Sequence, residues 1–387
     1  MSFSEFMTQY YQERLQFYEH LDLGRCPEAE LLDIGSEASS LQQFLSDMLE
    51  EGYEDIVRRL VAHTDAVNRL QQFLPRVLQR LGARHERELF YLFPERVHLD
   101  DLGVEGSPGG KRYKLHEYLA SLDGQSDRAV EISHCFQSAQ QMRRWQEKTR
   151  VLMAEMGAFL TWVLERLAQR PYFSPVPLLR DTLLVQIGMM FLRRRGVRIP
   201  EPKPAFIGRR FADVFGDGAQ VHGALANVIY RVLQTHRSCD LATMRHRFAE
   251  EVRTDPAIPA SFTHASRTYL ADLALEGPPL FIESGVQGSF PLWLLALTGN
   301  RGEMVFYTTT PWLYRTYERI VFRKHYTYLR EMETIVAHDH LFQFKAMQEG
   351  SVFIEVTPNE RIRNLSLYEI HVFKEIVKNR MNKVPGR

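Results

Sequence analysis

The sequence predicts an α/β fold with a helical N-terminal domain, residues 1–170, and a domain built on a parallel sheet, residues 171–387. Three observations predict it. Apolar residues recur at helical spacing from Phe3 to about Arg170. The run PYFSPVP at 171–177 places three prolines within seven residues and has to be extended. Apolar strands and helices alternate after it, which is typical of a Rossmann-like parallel sheet covered by helices.

The first domain is predicted to be helical apart from one loop. Apolar side chains recur three or four residues apart in runs such as Leu41, Phe44, Leu45 and Met48, as on one face of a helix. The polar run DDLGVEGSPGGK at 100–111 contains four glycines and a proline and predicts a surface loop. Helices are expected to resume at Leu115 and to be longest between 132 and 169.

The second domain is predicted to alternate between helices and strands. Its first helix ends in RRRG at 193–196, with cations in the last turn and a glycine after them, as helix C-termini prefer. The expected strands are 205–208, 279–282, 304–308 and 352–356. The expected helices are 178–195, 223–235, 241–252, 291–297, a long one over 314–332, and 366–378.

Composition points to an ordinary globular protein without a dominant charge. Because 48 Lys+Arg balance 48 Asp+Glu, the net charge is zero, which argues against a nucleic-acid partner. The three cysteines, Cys26, Cys135 and Cys239, show no metal or redox spacing and favour a cytoplasmic protein. The N-terminal segment lacks the pattern of a signal peptide, and the apolar runs are too short to span a bilayer, so no membrane partner is expected.

The sharpest candidate site is ESGVQGS at 283–289, between a predicted strand and a predicted helix. A tight turn into a helix N-terminus presents backbone N–H groups and a positive dipole end to an anion. Gly285 and Gly288 allow a close approach of the backbone, and Ser284 and Ser289 can add hydroxyl donors. Glu283 would face sugar hydroxyls or a metal. Alternatively, the glycines only form a tight connection and the serines only cap the helix.

An apolar strand that ends in an acid and runs into a loop of serines and glycines resembles the phosphoribosyl-diphosphate loop of type I phosphoribosyltransferases. The resemblance implies that Glu283 holds the ribose and that the phosphate is held by Ser284, Gly285, Gln287, Gly288 and Ser289. It also implies phosphoribosyl diphosphate or a nucleotide as ligand and Mg²⁺ as cofactor. The family usually has two adjacent acids, whereas Ile282 stands at the first of these positions.

A second segment, AFIGRR at 205–210, is similar to the position of the diphosphate loop in that family. Arg209 and Arg210 follow its predicted strand, where a guanidinium could stabilise the charge that develops on the departing diphosphate. Adjacent residues of an extended chain point in opposite directions, so at most one of the two arginines is expected to act. The alternative is a pair of solvated arginines.

Two further residues are candidates for a base-binding wall. Thr309 and Trp312 follow the strand predicted at 304–308 and would share the sheet edge of the 283–289 loop. The alternative is an ordinary helix start at Thr-Pro. No protein metal site is predicted, because His338 and His340 would point about 200° apart on a helix.

The leading functional hypothesis is a phosphoribosyltransferase-like protein that binds a phosphorylated ribose or a nucleotide at 283–289 and transfers phosphoribose to a nitrogen nucleophile. One alternative is a non-catalytic nucleotide sensor or assembly subunit, whose helical domain contacts a protein partner. The other is a phosphohydrolase that uses an acid at the end of a strand.

Overall fold

The computed structural model describes the chain in segments. They cover residues 3–27, 30–31, 34–35, 37–38, 41, 66–81, 111–179, 181–212, 218–236, 239–284, 288–308, 320–322, 335–339, 342–348, 351–356 and 360–381, some of them by their backbone only. Helix predominates over strand in these segments.

The helices and strands of the described segments alternate in an irregular order. The helices are α1 Phe3–His20, α2 Ala66–Leu81, α3 Leu115–Gln125, α4 Ala139–Gln169, α5 Leu183–Arg194, α6 Arg209–Ala212, α7 Gly218–Thr235, α8 Leu241–Val252, α9 Ala260–Asp272, α10 Ser289–Leu297, α11 Val336–Asp339 and α12 Glu360–Met381. The strands are β1 Lys111–Lys114, β2 Ser174–Pro177, β3 Pro279–Glu283, β4 Glu303–Phe306, β5 Phe342–Gln348 and β6 Ser351–Val356.

A small parallel sheet has β3 at its centre, between β2 and β4. Single parallel bridges extend it on both sides, from Leu178 to Ala205 and from Phe306 to Val321. The predicted mixed α/β class is confirmed by this sheet, while its Rossmann-like character stays a prediction. The strand expected at 205–208 is reduced to the bridge at Ala205.

Alternating prolines determine how β2 pairs. Pro175 and Pro177 lack an N–H, but their carbonyl groups accept hydrogen bonds from the N–H groups of Lys203, at 2.9 Å, and Ala205, at 3.0 Å. The N–H groups of Ser174 and Leu178 point the other way and donate to carbonyl groups of Pro278 and Ile282. Of the segment 171–177 that was expected to be extended, residues 174–177 are therefore a strand within the sheet, with donors facing β3 only, whereas residues 171 and 172 form a turn.

A second sheet is antiparallel and has the order β1, β6, β5. The expectation that the strand at 352–356 continues the parallel sheet was wrong, although β6 itself lies where it was predicted. Only residues 349 and 350 separate β5 from β6, and so short a connection joins antiparallel neighbours. The sheet therefore pairs β6, from the C-terminal part of the chain, with β1, which directly precedes α3.

One buried apolar cluster runs from Tyr10 to Val377 and crosses position 170. Helix α4, from the first half, packs against α5 and α12 of the second half. At Gly188 of α5 the packing is close, because an added Cβ would lie 2.5 Å from Leu160 Cδ2 and 2.9 Å from Phe373 Cε1. The division into domains 1–170 and 171–387 stays a prediction. Within the described segments, none of the helices is long and apolar enough to cross a membrane.

An ion-pair network joins α3, α5 and α12. Lys374 Nζ lies 2.8 Å from Asp123 Oδ1 and 2.9 Å from Asp127 Oδ1. Arg194 contacts the same two carboxylates, with Nε 2.8 Å from Asp123 Oδ2 and Nη2 3.0 Å from Asp127 Oδ1. The hydrogen bond from Arg194, reinforced by Lys374, holds the pKa of Asp127 well below its usual range. Two cations therefore balance two carboxylates at the meeting point of the three helices.

The lowered pKa of Asp127 predicts a loss of stability in acid. Because the folded-state pKa lies below the unfolded one, the carboxylate stabilises the fold above the unfolded pKa of about 3.9, and the contribution disappears as pH falls through the folded pKa. Urea unfolding of the wild type and of Asp127→Asn between pH 7 and 2.5 measures this contribution to the free energy of unfolding. We expect the variant to be less stable at pH 7 and the difference to shrink below pH 4. A difference independent of pH would contradict the prediction.

Candidate functional site

The site predicted at 283–289 begins at the carboxyl end of β3, the central strand of the parallel sheet. The apolar residues of β3 are buried, and Glu283 is partly exposed where the strand ends. Helix α10 starts six residues later, at Ser289. Gly285 and Gln287, two of the predicted phosphate ligands, lie outside the described residues.

The start of α10 is shaped by Gly288. Its φ of 70° and ψ of 19° lie in the left-handed region, which glycine adopts without steric cost. Gly288 occupies the N-cap position, where no side chain accepts a hydrogen bond from the first turn. The N–H groups of Ser289 and Phe290 have no partner within the helix, because the first turn of a helix leaves its donors open. Two N–H groups at the positive end of the helix dipole are therefore placed next to the sheet edge.

Ser284 supplies a second polar group at the same place. Its side chain is fully buried, and its Oγ has no hydrogen-bond partner among the residues that the structure describes. The Ser284 N–H donates to Glu283 Oε1 at 3.1 Å, which holds the carboxylate beside the backbone of Ser284. A buried hydroxyl without a partner costs free energy, so a buried group of this kind calls for an explanation. A ligand oxygen beside Ser284 would provide the missing partner.

Hydroxyl side chains also follow the neighbouring strands. Thr182, after β2, is buried and donates from Oγ1 to the Leu178 carbonyl at 2.6 Å. Thr308, after β4, is also buried. Because the strands are parallel, Thr182, Ser284 and Thr308 belong to the same edge of the sheet. This edge therefore combines small polar side chains with the N-terminus of α10.

The structure changes the interpretation of Arg209 and Arg210. They form the first turn of the short helix α6, so the expectation that they lie on an extended chain was wrong. Successive helical residues project about 100° apart, rather than to opposite sides of a strand. Their side chains lie outside the described residues, so a role in catalysis stays a prediction.

The backbone before α6 is held by Tyr269 of α9. The Phe206 N–H donates to Tyr269 Oη at 3.1 Å, and burial raises the pKa of this tyrosine to about 12. The hydroxyl is therefore neutral at physiological pH and fixes the segment from the Ala205 bridge to Gly208. This contact keeps the start of α6 at the carboxyl edge of the sheet.

Thr309 and Trp312, the predicted base-binding residues, lie outside the described residues. Helix α11 contains His338, while His340 follows it outside the described part. Among the residues that the structure describes, no group of three His, Cys, Asp or Glu side chains could hold a metal ion.

Sequence reasoning missed His222, which belongs to α7. Its ring stacks on that of Phe290, with centroids 5.6 Å apart and an interplanar angle of 14°. Phe290 is the second residue of α10, so the stack lies at the helix end that forms the candidate site. No spacing pattern connects two residues 68 positions apart, and only the packing of α7 on α10 brings them together.

A polar cavity of about 290 Å³ lies between α5, α12 and the turn after α3. Arg194, Lys374 and Asp127 line it, and all three belong to the ion-pair network described above. Because these charges already neutralise one another, we interpret this part of the cavity wall as part of the structural network.

Comparisons with models of protein families, with curated proteins and with solved structures found no match for the chain.

Proposed function

We propose that the carboxyl edge of the parallel sheet binds the phosphate group of a phosphorylated ribose or a nucleotide, as the resemblance to type I phosphoribosyltransferases implies. The observation that supports it most is the combination of an uncapped helix start at Gly288 with the buried, unpartnered hydroxyl of Ser284. Either feature alone is common in proteins. Together they provide donors of two kinds, backbone N–H and side-chain O–H, at one strand end.

The chemistry of these donors suits a phosphate oxyanion. Backbone N–H groups at a helix N-terminus and a serine hydroxyl all donate, and the helix dipole favours negative charge. A ligand that lacks charge would gain little from this arrangement. The protein supplies preorganised donors, which do not have to reorient when the anion arrives.

Glu283 is placed to contact the sugar. It ends β3, beside the loop, and its carboxylate can accept hydrogen bonds from ribose hydroxyls. Mg²⁺ usually binds through one or two carboxylates together with substrate phosphates. One acid at this edge therefore fits a Mg²⁺ ion that arrives with a diphosphate, and the remaining ligands would be oxygens of that substrate and water.

The apolar residue Ile282 supports a non-catalytic version of the proposal beside the catalytic one. Its side chain is fully buried in β3, on the face opposite to Glu283. The site therefore offers one carboxylate where the family has two adjacent acids. In the catalytic version, a nitrogen nucleophile displaces diphosphate and Arg209 or Arg210 stabilises the developing charge. In the non-catalytic version, the same edge binds a nucleotide and the helical region contacts a partner protein.

Ligand-induced stabilisation tests the proposal. We expect phosphoribosyl diphosphate with Mg²⁺, or a nucleotide, to stabilise the wild type by about 2.7 kcal/mol at 100 times its Kd. Ser284→Ala removes one donor, and a tenfold loss of affinity would reduce the gain at the same concentration to about 1.4 kcal/mol. Thermal unfolding with a panel of phosphate compounds measures both values.

Ser266→Ala is the matched control. Ser266, in α9, is also fully buried and its Oγ also lacks a partner. This substitution should leave the ligand effect unchanged. The absence of stabilisation by any phosphate compound in the wild type would overturn the proposal, as would equal ligand effects in Ser284→Ala and the wild type. Release of diphosphate with an acceptor would identify a transferase, release of phosphate from simple esters a phosphohydrolase, and binding alone a sensor.

A further inference from the structure

The polar cavity between α5, α12 and the turn after α3 is also lined by side chains that the ion-pair network does not use, Arg195 and His371. Its volume of about 290 Å³ lies near the lower limit of about 300 Å³ that is usual for ligand pockets. A small molecule, or the charged end of a larger one, fits a space of this size.

Two of the cations that line the cavity are occupied by the network. Lys374 Nζ contacts the carbonyl oxygen and Oδ1 of Asp123 as well as Asp127 Oδ1, which accounts for its three hydrogens. Arg194 donates from Nε and Nη2 to Asp123 and from Nη1 to Asp127. These two cations therefore hold the three helices together and are not available to a ligand.

Arg195, the third cation, is exposed and has a different environment. Its guanidinium carbon lies 4.8 Å from the ring centroid of Phe191, and no carboxylate of the described residues lies within ion-pair distance of it. Lys374 Nζ lies 5.4 Å from the same centroid, so the two cationic centres are at most about 10 Å apart. A guanidinium that lies over an aromatic ring keeps the N–H groups of its edge for an oxyanion.

The charges around the cavity leave one positive charge without a counterpart. The two cations of the network face Asp123 and Asp127, and Glu375 lies 3.4 Å from Lys378 Nζ. Each of these three carboxylates is thus matched by a cation, and Arg195 adds a further positive charge. Because cations close to one another repel, a negative charge bound beside Arg195 lowers the electrostatic free energy. The cavity therefore suits a ligand with one anionic group.

Hydrogen-bond acceptors form the remaining polar part of the lining. His371 Nδ1 lies 3.2 Å from the carbonyl oxygen of Ser126. A carbonyl oxygen only accepts hydrogen bonds, so Nδ1 carries the hydrogen and Nε2 of the neutral ring is an acceptor. The carboxylates of Asp127 and Glu375 also line the cavity and accept. One donor fork beside several acceptors suits an oxyanion that is attached to a hydroxylated carbon chain.

We propose that this cavity binds a small hydroxylated anion, whose carboxylate or phosphate group is held by Arg195 and whose hydroxyl groups donate to His371 Nε2 and to the carboxylates of the lining. Sugar acids and sugar phosphates share this chemistry. The site is separate from the sheet edge, because the 12 residues of α5 place about 18 Å between its start after β2 and its end at the cavity. The proposal therefore does not depend on the proposed function.

Calorimetry with gluconate and with ribose 5-phosphate tests the proposal. We expect the wild type to bind at least one of them, and Arg195→Met to bind it at least about tenfold more weakly, because a charge-assisted hydrogen bond is lost. Arg195→Lys keeps the charge without the planar fork and should have an intermediate affinity. Arg198→Met is the control, since Arg198 is exposed three residues later and does not line the cavity, and it should bind like the wild type.

A spectroscopic measurement shows where the probe binds. In protein with ¹⁵N-labelled histidine, the His371 resonance is the one that is missing from His371→Gln, and we expect it to shift when the probe is added to the wild type. Failure of the wild type to bind either probe would overturn the proposal, as would equal affinities of Arg195→Met and the wild type. If Arg195→Met does not fold, a His371 resonance that stays unmoved overturns it instead.

Ser284→Ala separates this site from the one proposed at the sheet edge. If ribose 5-phosphate binding weakens in Ser284→Ala and is unchanged in Arg195→Met, and gluconate does not bind, the proposal fails and the proposed function stands. If binding weakens in Arg195→Met and is unchanged in Ser284→Ala, the cavity is the site and the proposed function fails. Gluconate binding that depends on Arg195 identifies a sugar acid as ligand, and dependence for ribose 5-phosphate alone identifies a sugar phosphate.

Discussion

Lys374→Met is expected to destabilise the protein by about 3–5 kcal/mol, which is a large part of the stability of an ordinary domain. The Lys374 side chain is 2% exposed and that of Asp123 is 4% exposed, so both charges are removed from water and each depends on the other. Removal of one partner leaves a carboxylate that is desolvated and under-compensated. Arg194 remains beside Asp123, but its side chain is 46% exposed and lies at the edge of the network.

Lys378→Met provides the matched control, since it makes the same chemical change one turn later on α12. Lys378 is 37% exposed, and its ammonium group lies 3.4 Å from Glu375. Exposed pairs of this kind contribute about 0–1 kcal/mol. Urea unfolding of the three proteins at pH 7 gives the two differences. Similar losses in Lys374→Met and Lys378→Met would contradict the assignment of a buried network that joins α3, α5 and α12.

Gly277→Ala is expected to be the second highly damaging substitution, with a loss of roughly 3 kcal/mol or more. A Cβ at this position would lie 1.9 Å from the carbonyl oxygen of Tyr172 and 3.1 Å from its carbonyl carbon. The obstacle is backbone, so it cannot move away as the end of a flexible side chain can. The Gly277 N–H also donates to Ser174 Oγ at 3.0 Å, which ties the start of β3 to the start of β2.

The consequence of Gly277→Ala should reach the candidate site, because β2 and β3 have to separate at their beginnings to accommodate the methyl group. We expect faster hydrogen exchange at the Leu178 N–H, which donates to Ile282 at the other end of the pair. Gly208→Ala is the control, since no atom lies within 4 Å of the added Cβ, and its stability should change by less than about 1 kcal/mol. Equal stabilities of the two variants would contradict the close contact of β2 and β3.

Several elements were predictable because their signals are local. Helix α8 spans 241–252 as predicted, and Asp240 caps it by accepting a hydrogen bond from the Thr243 N–H at 2.6 Å. Strand β3 was predicted at 279–282 from its continuous apolar run and extends to Glu283. The start of α10 was also close to the prediction, since the helix expected at 291–297 begins at Ser289.

Other features depended on partners far away in the chain. Arg209 and Arg210 follow a segment with the apolar pattern of a strand. Within 205–208, however, only Ala205 forms a β-bridge, and the chain continues into helix α6. The unpartnered state of Ser284 and the stack of His222 on Phe290 likewise follow from packing.

Local patterns in the sequence predicted the helices with clear periodicity and caps, the apolar strand β3 and the position of the segment that follows it. These depend on interactions between residues within a few positions of each other. Long-range contacts of the folded chain place β6 outside the parallel sheet, bring Lys374 to Asp123 across 251 positions and stack His222 on Phe290 of α10. Sequence patterns do not predict these contacts, because burial and strand pairing bring together residues that are far apart along the chain.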